Sequence, residues 1–445
     1  MKTTIATVLF LAVFTGISDA SGHWSDFVKA IYKASHYQEQ SDLYESSNNG
    51  TLLPIPLPIE FPDGSCTSVI SPPEFPDLPR PPRDFPCSCV NPGTSAVSVH
   101  ALSPFDVKIV GALGDSLTAG SGADAAIIVG SLNDYRGVVY SIGGDEDFSA
   151  GVTTLPNILQ EYSPSLKGFS LGVCNRDETA SALNVASPGD VSRDMKYQAY
   201  RLIDRMKLHP DVDYELDWKV VTILIGGNDL CSFCDDKELY TAERYQQHLQ
   251  EALDVLHEGM PRAFINLVSV LQVAELSQLN GTICNIIHCL FCTCVKYGDD
   301  QNELVELTKE YQRVTHELID SGRYETSDDF TVVVQPFLEE TTLPLDENGD
   351  PDKSYFAKDC FHFSEKGHAT AAVNLWNNMF EPVGLKSRVF NPEADVYCPT
   401  QDVPYFYTSK NSGIEPTTSS SASPRISHVF YISSMVMLFE YSFWN

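Results

Sequence analysis

Residues 107–120 read Val-Lys-Ile-Val-Gly-Ala-Leu-Gly-Asp-Ser-Leu-Thr-Ala-Gly. An apolar, β-branched run ends abruptly at Gly114-Asp115-Ser116, and small residues follow it. This pattern predicts a buried strand that delivers Ser116 to the carboxyl-terminal edge of a sheet. Open α/β folds place their ligand sites at that edge, so this strand end is the first candidate for a functional site.

Further apolar runs along the chain are bounded by turn residues in the same way. Together with Val107–Ala112, the predicted strands are Ala182–Val185, Val220–Ile225, Phe264–Val270 and Phe330–Val334. Helical periodicity occupies the intervals, for example over Val191–Lys207, Ala242–His257 and Leu304–Ser321. Strands that alternate with helices predict an α/β fold with a mostly parallel, five-stranded sheet covered on both faces.

The composition of the 445-residue chain indicates one central domain with appendages. Residues 1–20 have a basic start, an apolar run and a small-x-small end, which predicts a secretory signal. Residues 21–95 contain a predicted amphipathic helix within 24–46 and a Pro-rich arm, since 12 of the 27 prolines lie between Pro54 and Pro92. The strands and helices occupy 96–400, and a Ser/Thr-rich tail occupies 401–445.

The two ends predict a location at or outside the cell surface. Asn411-Ser412-Gly413 is followed by a polar spacer and an apolar tail over Ile426–Phe439, which is the arrangement of a GPI-attachment signal. The alternative is a disordered end without that role. Asn49 and Asn280 begin Asn-x-Thr sequons and are candidate glycosylation sites. We therefore expect the secretory pathway, with the mature chain extracellular or on the outer face of the plasma membrane.

All 12 cysteines lie beyond the predicted signal, and an even number suits disulfides in a secreted protein. Some are clustered, namely Cys231, Cys234, Cys284, Cys289, Cys292 and Cys294. Zinc is the competing interpretation of such clusters, and the predicted compartment favours disulfides. Cys66, Cys87 and Cys89 are expected to pin the Pro-rich arm to the main body, while the connectivity does not follow from the sequence.

The net charge is −31, from 60 acidic and 29 basic residues. A surface this acidic repels phosphate backbones, so the sequence argues against nucleic acid as a partner. It also gives no electrostatic attraction to anionic membranes, which makes a covalent lipid anchor the more useful device at a membrane surface.

Four motifs follow one another in the order expected if a sheet presents its loops at one edge. They are Gly114-Asp115-Ser116-Leu117, Asn184-Val185-Ala186-Ser187-Pro188-Gly189, Ile225-Gly226-Gly227-Asn228-Asp229 and Asp359-Cys360-Phe361-His362-Phe363. Together they supply what acyl transfer requires. Ser116 is the candidate nucleophile, His362 the candidate base, and Asp359 the residue that orients the imidazole.

An oxyanion hole has candidates in the same motifs. The backbone N–H groups of Ser116 and Gly189 and the side-chain amide of Asn228 offer three donors. Taken singly, each motif is also compatible with a tight turn or a helix cap. His368 is the rival base, but no aspartate lies three residues before it. Asp115 is assigned to a turn, while Thr118 and Asp229 are expected to support loop geometry.

The four motifs resemble the GDSL-type (SGNH) lipase and esterase superfamily, whose signature residues are Ser, Gly, Asn and His. Segments such as Val99–Leu102, Tyr135–Gly137, Ser141–Asp145 and Thr154–Leu159 resemble its membrane-associated phospholipase B branch. The resemblance implies a flavodoxin-like three-layer α/β/α sandwich without a metal or an organic cofactor. It also implies Ser116, Asp359 and His362 as the triad, with Gly189 and Asn228 completing the oxyanion hole.

The implied function is hydrolysis of fatty-acyl esters in glycerophospholipids and lysophospholipids at a membrane surface. Two alternatives stay open at this point. One is a short-chain or carbohydrate esterase on the same scaffold. The other is a catalytically dead surface-binding glycoprotein, against which the filled catalytic positions argue.

Overall fold

The computed structural model describes residues 82–126, 128–295 and 298–413. The predicted signal, the helix predicted within 24–46, most of the Pro-rich arm, Asn49 and the apolar tail lie outside these residues. Within the described ranges, no helix has both the length and the apolar character needed to cross a membrane.

In the described part of the chain, the centre of the fold is a four-stranded sheet whose neighbouring strands are all parallel. The strands, in spatial order, are β1 (Val107–Gly114), β2 (Trp218–Leu224), β3 (Ala263–Val268) and β4 (Phe330–Gln335). Nearly every residue in them is buried, because both faces of the sheet are covered. The predicted α/β class with a parallel sheet is confirmed.

The prediction of a fifth strand at Ala182–Val185 is wrong. The segment forms a single parallel bridge from Asn184 to Ala112 at the free edge of β1. Its extension is limited on one side by Ala182, which has a positive φ of 46°. On the other side, the Gly114 N–H bonds to the Gln198 side chain at 2.9 Å and so does not continue the ladder with this segment.

Helices connect the strands and confirm the predicted alternation. They are α1 (Ser116–Ala119), α2 (Leu155–Gln160), α3 (Met195–Leu208), α4 (Gly227–Ser232), α5 (Ala242–Gly259), α6 (Thr282–Phe291), α7 (Gly298–Asp320) and α8 (Glu365–Met379). The segment predicted from Val191 starts with a 3-10 turn over Ser192–Asp194 before α3 begins, and α7 begins earlier than the predicted Leu304.

Helices cover both faces of the sheet. A methyl group added at Gly111 of β1 would lie within 2.9 Å of Met206, so this face of β1 packs on α3. Asn266 of β3 donates to Met379 of α8 at 3.6 Å. The strand register places Gly111 and Asn266 on opposite faces, because side chains alternate along each strand. Helices α3 and α8 therefore belong to opposite outer layers, as a three-layer sandwich requires.

Disulfides join the cysteine clusters. The pairs among the described residues are Cys87–Cys398, Cys231–Cys292, Cys234–Cys294 and Cys284–Cys360, and Cys289 is also disulfide-bonded. These cysteines are thus disulfide partners rather than zinc ligands.

The cysteines of the Pro-rich arm behave differently from one another. Cys87 attaches the end of the arm to Cys398, as expected. The same expectation is wrong for Cys89, which is a free, exposed thiol whose Sγ lies near the Glu161 carbonyl rather than near another cysteine. Cys66 lies outside the described residues.

A buried arginine supports the loops at the carboxyl-terminal edge of the sheet. Arg136 is fully buried and pairs with Asp134 at 3.0 Å. It also donates to the carbonyls of Cys174 and Ala186, each at 3.0 Å. The Ala186 contact reaches the segment that leads to Gly189. A buried charge with these partners is well satisfied, but the loss of one partner leaves the other uncompensated.

Replacing Arg136 by alanine is therefore expected to lower the free energy of unfolding by about 3–5 kcal/mol, since Asp134 stays buried without its cation. The measurement is chemical denaturation followed by circular dichroism. Arg313→Ala is the matched control, because Arg313 pairs with Glu310 and Glu317 on the surface of α7, and it should leave the midpoint nearly unchanged. An Arg136→Ala loss as small as that of the control would contradict the structural role.

Candidate active site

Ser116 lies at the point where β1 gives way to α1. Asp115 is the N-cap of this short helix, and its side chain accepts from the Leu117 N–H at 2.9 Å. Gly120 ends the helix in the left-handed conformation, with φ 74°. The strand–turn–helix places Ser116 at the carboxyl-terminal edge of the sheet with only 5% of its surface exposed. Its backbone N–H is the first of the helix and has no intrahelical acceptor.

Asp359 and His362 are held together by one turn of chain. Oδ2 of Asp359 accepts from Nδ1 of His362 at 2.7 Å. The other carboxylate oxygen accepts from the backbone N–H groups of Phe361 and His362, each at 3.0 Å. These contacts fix the position of the carboxylate. Because Nδ1 of His362 faces the carboxylate, the neutral imidazole carries its proton on Nδ1.

The imidazole also contacts the serine. Nε2 of His362 lies 2.8 Å from Oγ of Ser116, across 246 residues of sequence. With the ring proton on Nδ1, Nε2 is free to accept the proton of the hydroxyl. The structure thus brings Ser116, His362 and Asp359 into one hydrogen-bonded relay, an arrangement that can activate a serine for nucleophilic attack.

Burial and charge act in opposite directions on this pair. Burial lowers the pKa of His362, but the Asp359 carboxylate raises it, and the net pKa lies above the ordinary value of histidine. Burial likewise raises the pKa of Asp359, but His362 and two backbone N–H groups lower it, and the net pKa lies below its usual range. Asp359 therefore stays ionised while His362 is able to take up a proton.

Gly189 and Asn228 come from two neighbouring loops. Gly189 has a positive φ of 84°, which suits a glycine in a tight turn. Asn228 lies in the first turn of α4, and its Nδ2 donates to the Asp190 carbonyl at 2.8 Å. An amide nitrogen carries two protons, so this bond orients the side chain and leaves the second proton for another acceptor.

Asp229 supports the same turn, in line with the expected loop role. Its carboxylate accepts from the Ser192 hydroxyl at 2.6 Å and from the Ser192 N–H at 2.9 Å. Burial raises the pKa of Asp229 to about 6. The side chain joins the start of α4 to the end of the turn that contains Gly189.

Gln198 is a residue that the sequence reasoning missed. Its side-chain amide donates to the Gly114 carbonyl at 2.8 Å and to the Asp190 carboxylate at 2.7 Å, and it accepts from the Gly114 N–H at 2.9 Å. It thereby joins the strand end before Ser116 to the turn after Gly189. The available signal was a polar residue on the otherwise apolar face of α3, three residues after Met195.

His368, the rival base, does not contact Ser116. It is fully buried, its ring stacks on Tyr140, and Nδ1 lies 3.4 Å from the Tyr140 N–H. Burial lowers the pKa of His368 to about 3, so this histidine stays neutral at physiological pH. Thr118 is buried on α1 and packs so closely on Gly114 that an added methyl group there would clash with it. This contact fits a packing role for Thr118.

Comparison with known proteins adds to this geometry. The family described as GDSL-like lipase/acylhydrolase matches residues 110–375, which include Ser116, Gly189, Asn228, Asp359 and His362. The chain belongs to this family. The resemblance inferred from the sequence motifs is therefore confirmed.

Curated proteins are similar to the chain over most of its length. "Phospholipase B1, membrane-associated" of Homo sapiens is 46% identical over 72% of this chain and 23% of its own length. The protein of the same name from Mus musculus is 46% identical over 74% of this chain and 23% of its own length. The chain thus spans about a quarter of the length of these relatives.

Solved structures of similar proteins include a phospholipase A1 from Streptomyces albidoflavus, with 15% identity and a TM-score of 0.30, covering 61% of this chain and 98% of that chain. Another is Axe2, an acetylxylan esterase from Geobacillus stearothermophilus, with 13% identity and a TM-score of 0.31, covering 63% of this chain and 95% of that chain.

The two histidines should differ in an NMR titration of the imidazole signals. We expect His362 to titrate above the ordinary pKa of 6.5, because the Asp359 charge favours the imidazolium form, and His368 to show no change between about pH 5 and 8. Asp359→Asn should lower the pKa of His362, since the favourable negative charge is removed. A His362 signal that titrates below 6.5 in the unmodified chain would contradict the described geometry.

Proposed function

We propose that this chain is a serine hydrolase that cleaves fatty-acyl esters of glycerophospholipids and lysophospholipids through an acyl-enzyme. The observation that carries the proposal is the relay in which Ser116 contacts His362 at 2.8 Å and His362 contacts Asp359 at 2.7 Å. A complete relay of this kind argues against a catalytically dead binding protein, because it leaves none of the three roles unfilled.

The first half-reaction forms the acyl-enzyme. Oγ of Ser116 attacks the ester carbonyl carbon while Nε2 of His362 takes the hydroxyl proton. The tetrahedral intermediate then collapses, the bond from the carbonyl carbon to the glycerol oxygen breaks, and His362 gives its proton to that oxygen. In the second half-reaction, water loses a proton to His362 and attacks the acyl carbon. The fatty acid leaves, and the proton returns to Ser116.

Negative charge on the carbonyl oxygen is stabilised by donors aimed at it. We assign this role to the backbone N–H groups of Ser116 and Gly189 and to the Asn228 side chain. Support comes from the bond between Asn228 and the Asp190 carbonyl, which orients the amide in advance. Donors oriented before the reaction stabilise the transition state without paying for reorganisation at that moment.

The choice of lipid substrates rests on the relatives. Those that are 46% identical carry the name phospholipase B1, and the family match covers residues 110–375 of this chain. An apolar ring adds support, since Phe361 packs edge-on against the His362 ring at 5.1 Å between centroids. If this proposal fails, a panel of substrates would instead show the activity of a short-chain or carbohydrate esterase.

We further propose that the protein works on the extracellular side of a membrane. The name of the relatives includes membrane association, and disulfides suit an oxidising compartment. In the candidate anchor motif, the Asn411 side chain donates to the His100 carbonyl and the Ser412 hydroxyl accepts from the Val383 N–H, whereas Gly413 is exposed. Gly413 is therefore the most accessible of the three residues for attachment of a GPI anchor.

Ser116→Ala is expected to lower kcat for a phospholipid or lysophospholipid by roughly 10³-fold or more, because the nucleophile is lost while the donors stay in place. The measurement is fatty-acid release from phospholipid, lysophospholipid, triacylglycerol and acetylated sugar. Ser165→Ala is the matched control, because Ser165 is exposed on a loop. Both variants should melt at nearly the wild-type temperature.

Two results would contradict the proposal. Retention of more than about a tenth of the wild-type kcat by Ser116→Ala would exclude Ser116 as the nucleophile, since loss of a triad residue costs far more than that. Activity on acetylated sugar with none on either phospholipid class would keep the mechanism and replace the substrate.

A further inference from the structure

Helix α6 is mostly apolar, with the sequence Thr-Ile-Cys-Asn-Ile-Ile-His-Cys-Leu-Phe over residues 282–291. We propose that it is a lipid-docking element whose outward stripe inserts into the acyl region of a zwitterionic phospholipid surface. The outward stripe consists of Ile283, Ile286, Ile287 and Leu290. The choice of lipid as the partner rests on the proposed function, whereas the stripe itself is a feature of the fold.

The inner face of α6 is bonded to the loop that contains Asp359 and His362. Cys284 forms a disulfide with Cys360, and Nε2 of His288 lies 2.8 Å from the Cys360 carbonyl oxygen. Phe291 follows on the same face and contacts the Phe361 ring at 6.5 Å between centroids. Spacings of four and seven residues put these three side chains on one side of the helix.

These contacts place α6 next to two residues of the relay. Cys360 lies directly after Asp359, and Phe361 lies directly before His362. Cys360 also has a positive φ of 57°, a conformation that a non-glycine residue keeps only when its surroundings enforce it. Any surface that binds the other side of α6 is therefore adjacent to the loop of Asp359 and His362.

The outward stripe lies on a different side of the helix. Its members are spaced at i, i+3, i+4 and i+7, which is one continuous helix face. By the 100° step of an α-helix, the centre of this face lies roughly 120° around the helix from the face of Cys284, His288 and Phe291. Ile286 is 38% exposed, and the other three members are partly exposed. The core formed by the described residues includes none of the four.

A surface helix of a globular protein normally presents polar or charged residues outward. Helix α6 contains no Asp, Glu, Lys or Arg, although the chain as a whole has 60 acidic and 29 basic residues. An uncharged apolar stripe fits the acyl region of a membrane rather than its headgroups. The net charge of −31 disfavours an anionic surface, so a zwitterionic one is the matching partner.

The length of α6 fits a helix that lies in the interface. Ten residues extend roughly 15 Å, about half of the hydrocarbon thickness of a bilayer. A helix of this length inserts one face into the boundary of the acyl chains and does not cross the membrane. Docking there would place the loop of Asp359 and His362 next to the lipid from which an acyl ester has to be taken.

The test is binding to vesicles of dialkyl-ether phosphatidylcholine, which contains no ester that the protein can cleave. The purified protein is first treated with a phosphatidylinositol-specific phospholipase C, so that no lipid anchor contributes. Ile286→Glu is compared with Leu208→Glu, which places the same charge on an apolar residue that is 83% exposed at the end of α3. Ile286→Ser is a milder second variant at the same position.

We expect the wild type and Leu208→Glu to cosediment with the vesicles within about twofold of each other. Ile286→Glu should bind about tenfold or more weakly, because a buried apolar contact is replaced by a charge that resists leaving water. Ile286→Ser should bind with intermediate strength. All variants should hydrolyse a soluble short-chain ester at similar rates, since Ile286 does not contact the relay.

Three results would overturn the proposal. One is a wild type that does not bind the vesicles, and another is equal binding by Ile286→Glu. The third is a lowered melting temperature or a change from dimer to monomer in both Ile286 variants but not in Leu208→Glu. That result would mean that another segment of this chain or a second copy covers the stripe. Vesicle binding that depends on Ile286 without any ester hydrolysis would support docking and refute the proposed function instead.

Discussion

The parallel pairing of β1 with β2 is the constraint on which the candidate site depends. Gly114 is paired with Leu224 at the last step of the register, so the chain leaves both strands at the same edge. Ser116 follows the first strand and Asn228 the second, which puts both loops on one side of the sheet. A slip of one residue would turn the side chains of these almost fully buried strands towards the opposite helix layer, so the register is strongly specified.

Helix α3 connects the end of β1 to the surrounding loops by hydrogen bonds. Gln198 holds both the N–H and the carbonyl of Gly114 and also reaches Asp190, whose own carbonyl accepts from Asn228. The strand end, the Gly189 turn and the Asn228 side chain thus share one buried hydrogen-bond network. Buried polar groups are costly unless they are satisfied, and a satisfied network fixes one geometry. The proposed nucleophile and oxyanion donors therefore depend on side chains that take no part in the chemistry.

Local sequence signals predicted much of this arrangement. The strand before Ser116 and the Asp359–His362 spacing are short-range patterns, and the relay that they suggested is present as a set of hydrogen bonds. Long-range partners were not predictable, because nothing near Gln198 or Arg136 in the sequence marks the loops that they support. The segment at Ala182–Val185 has the composition of a strand, but it forms only a single bridge, from Asn184 to Ala112, because the Gly114 N–H bonds to Gln198 instead. Helix α6 was not predicted, because its ten residues give only a short periodic pattern.

The central claim is that Ser116 is the nucleophile, and the most direct measurement is labelling with a serine-directed fluorophosphonate followed by tandem mass spectrometry. The reagent forms a stable bond only with a serine whose proton an adjacent base can remove. We expect one adduct per chain on Ser116, with labelling strongly reduced in Asp359→Asn and absent in Ser116→Ala. An adduct on a different residue, or undiminished labelling of Ser116→Ala, would contradict it.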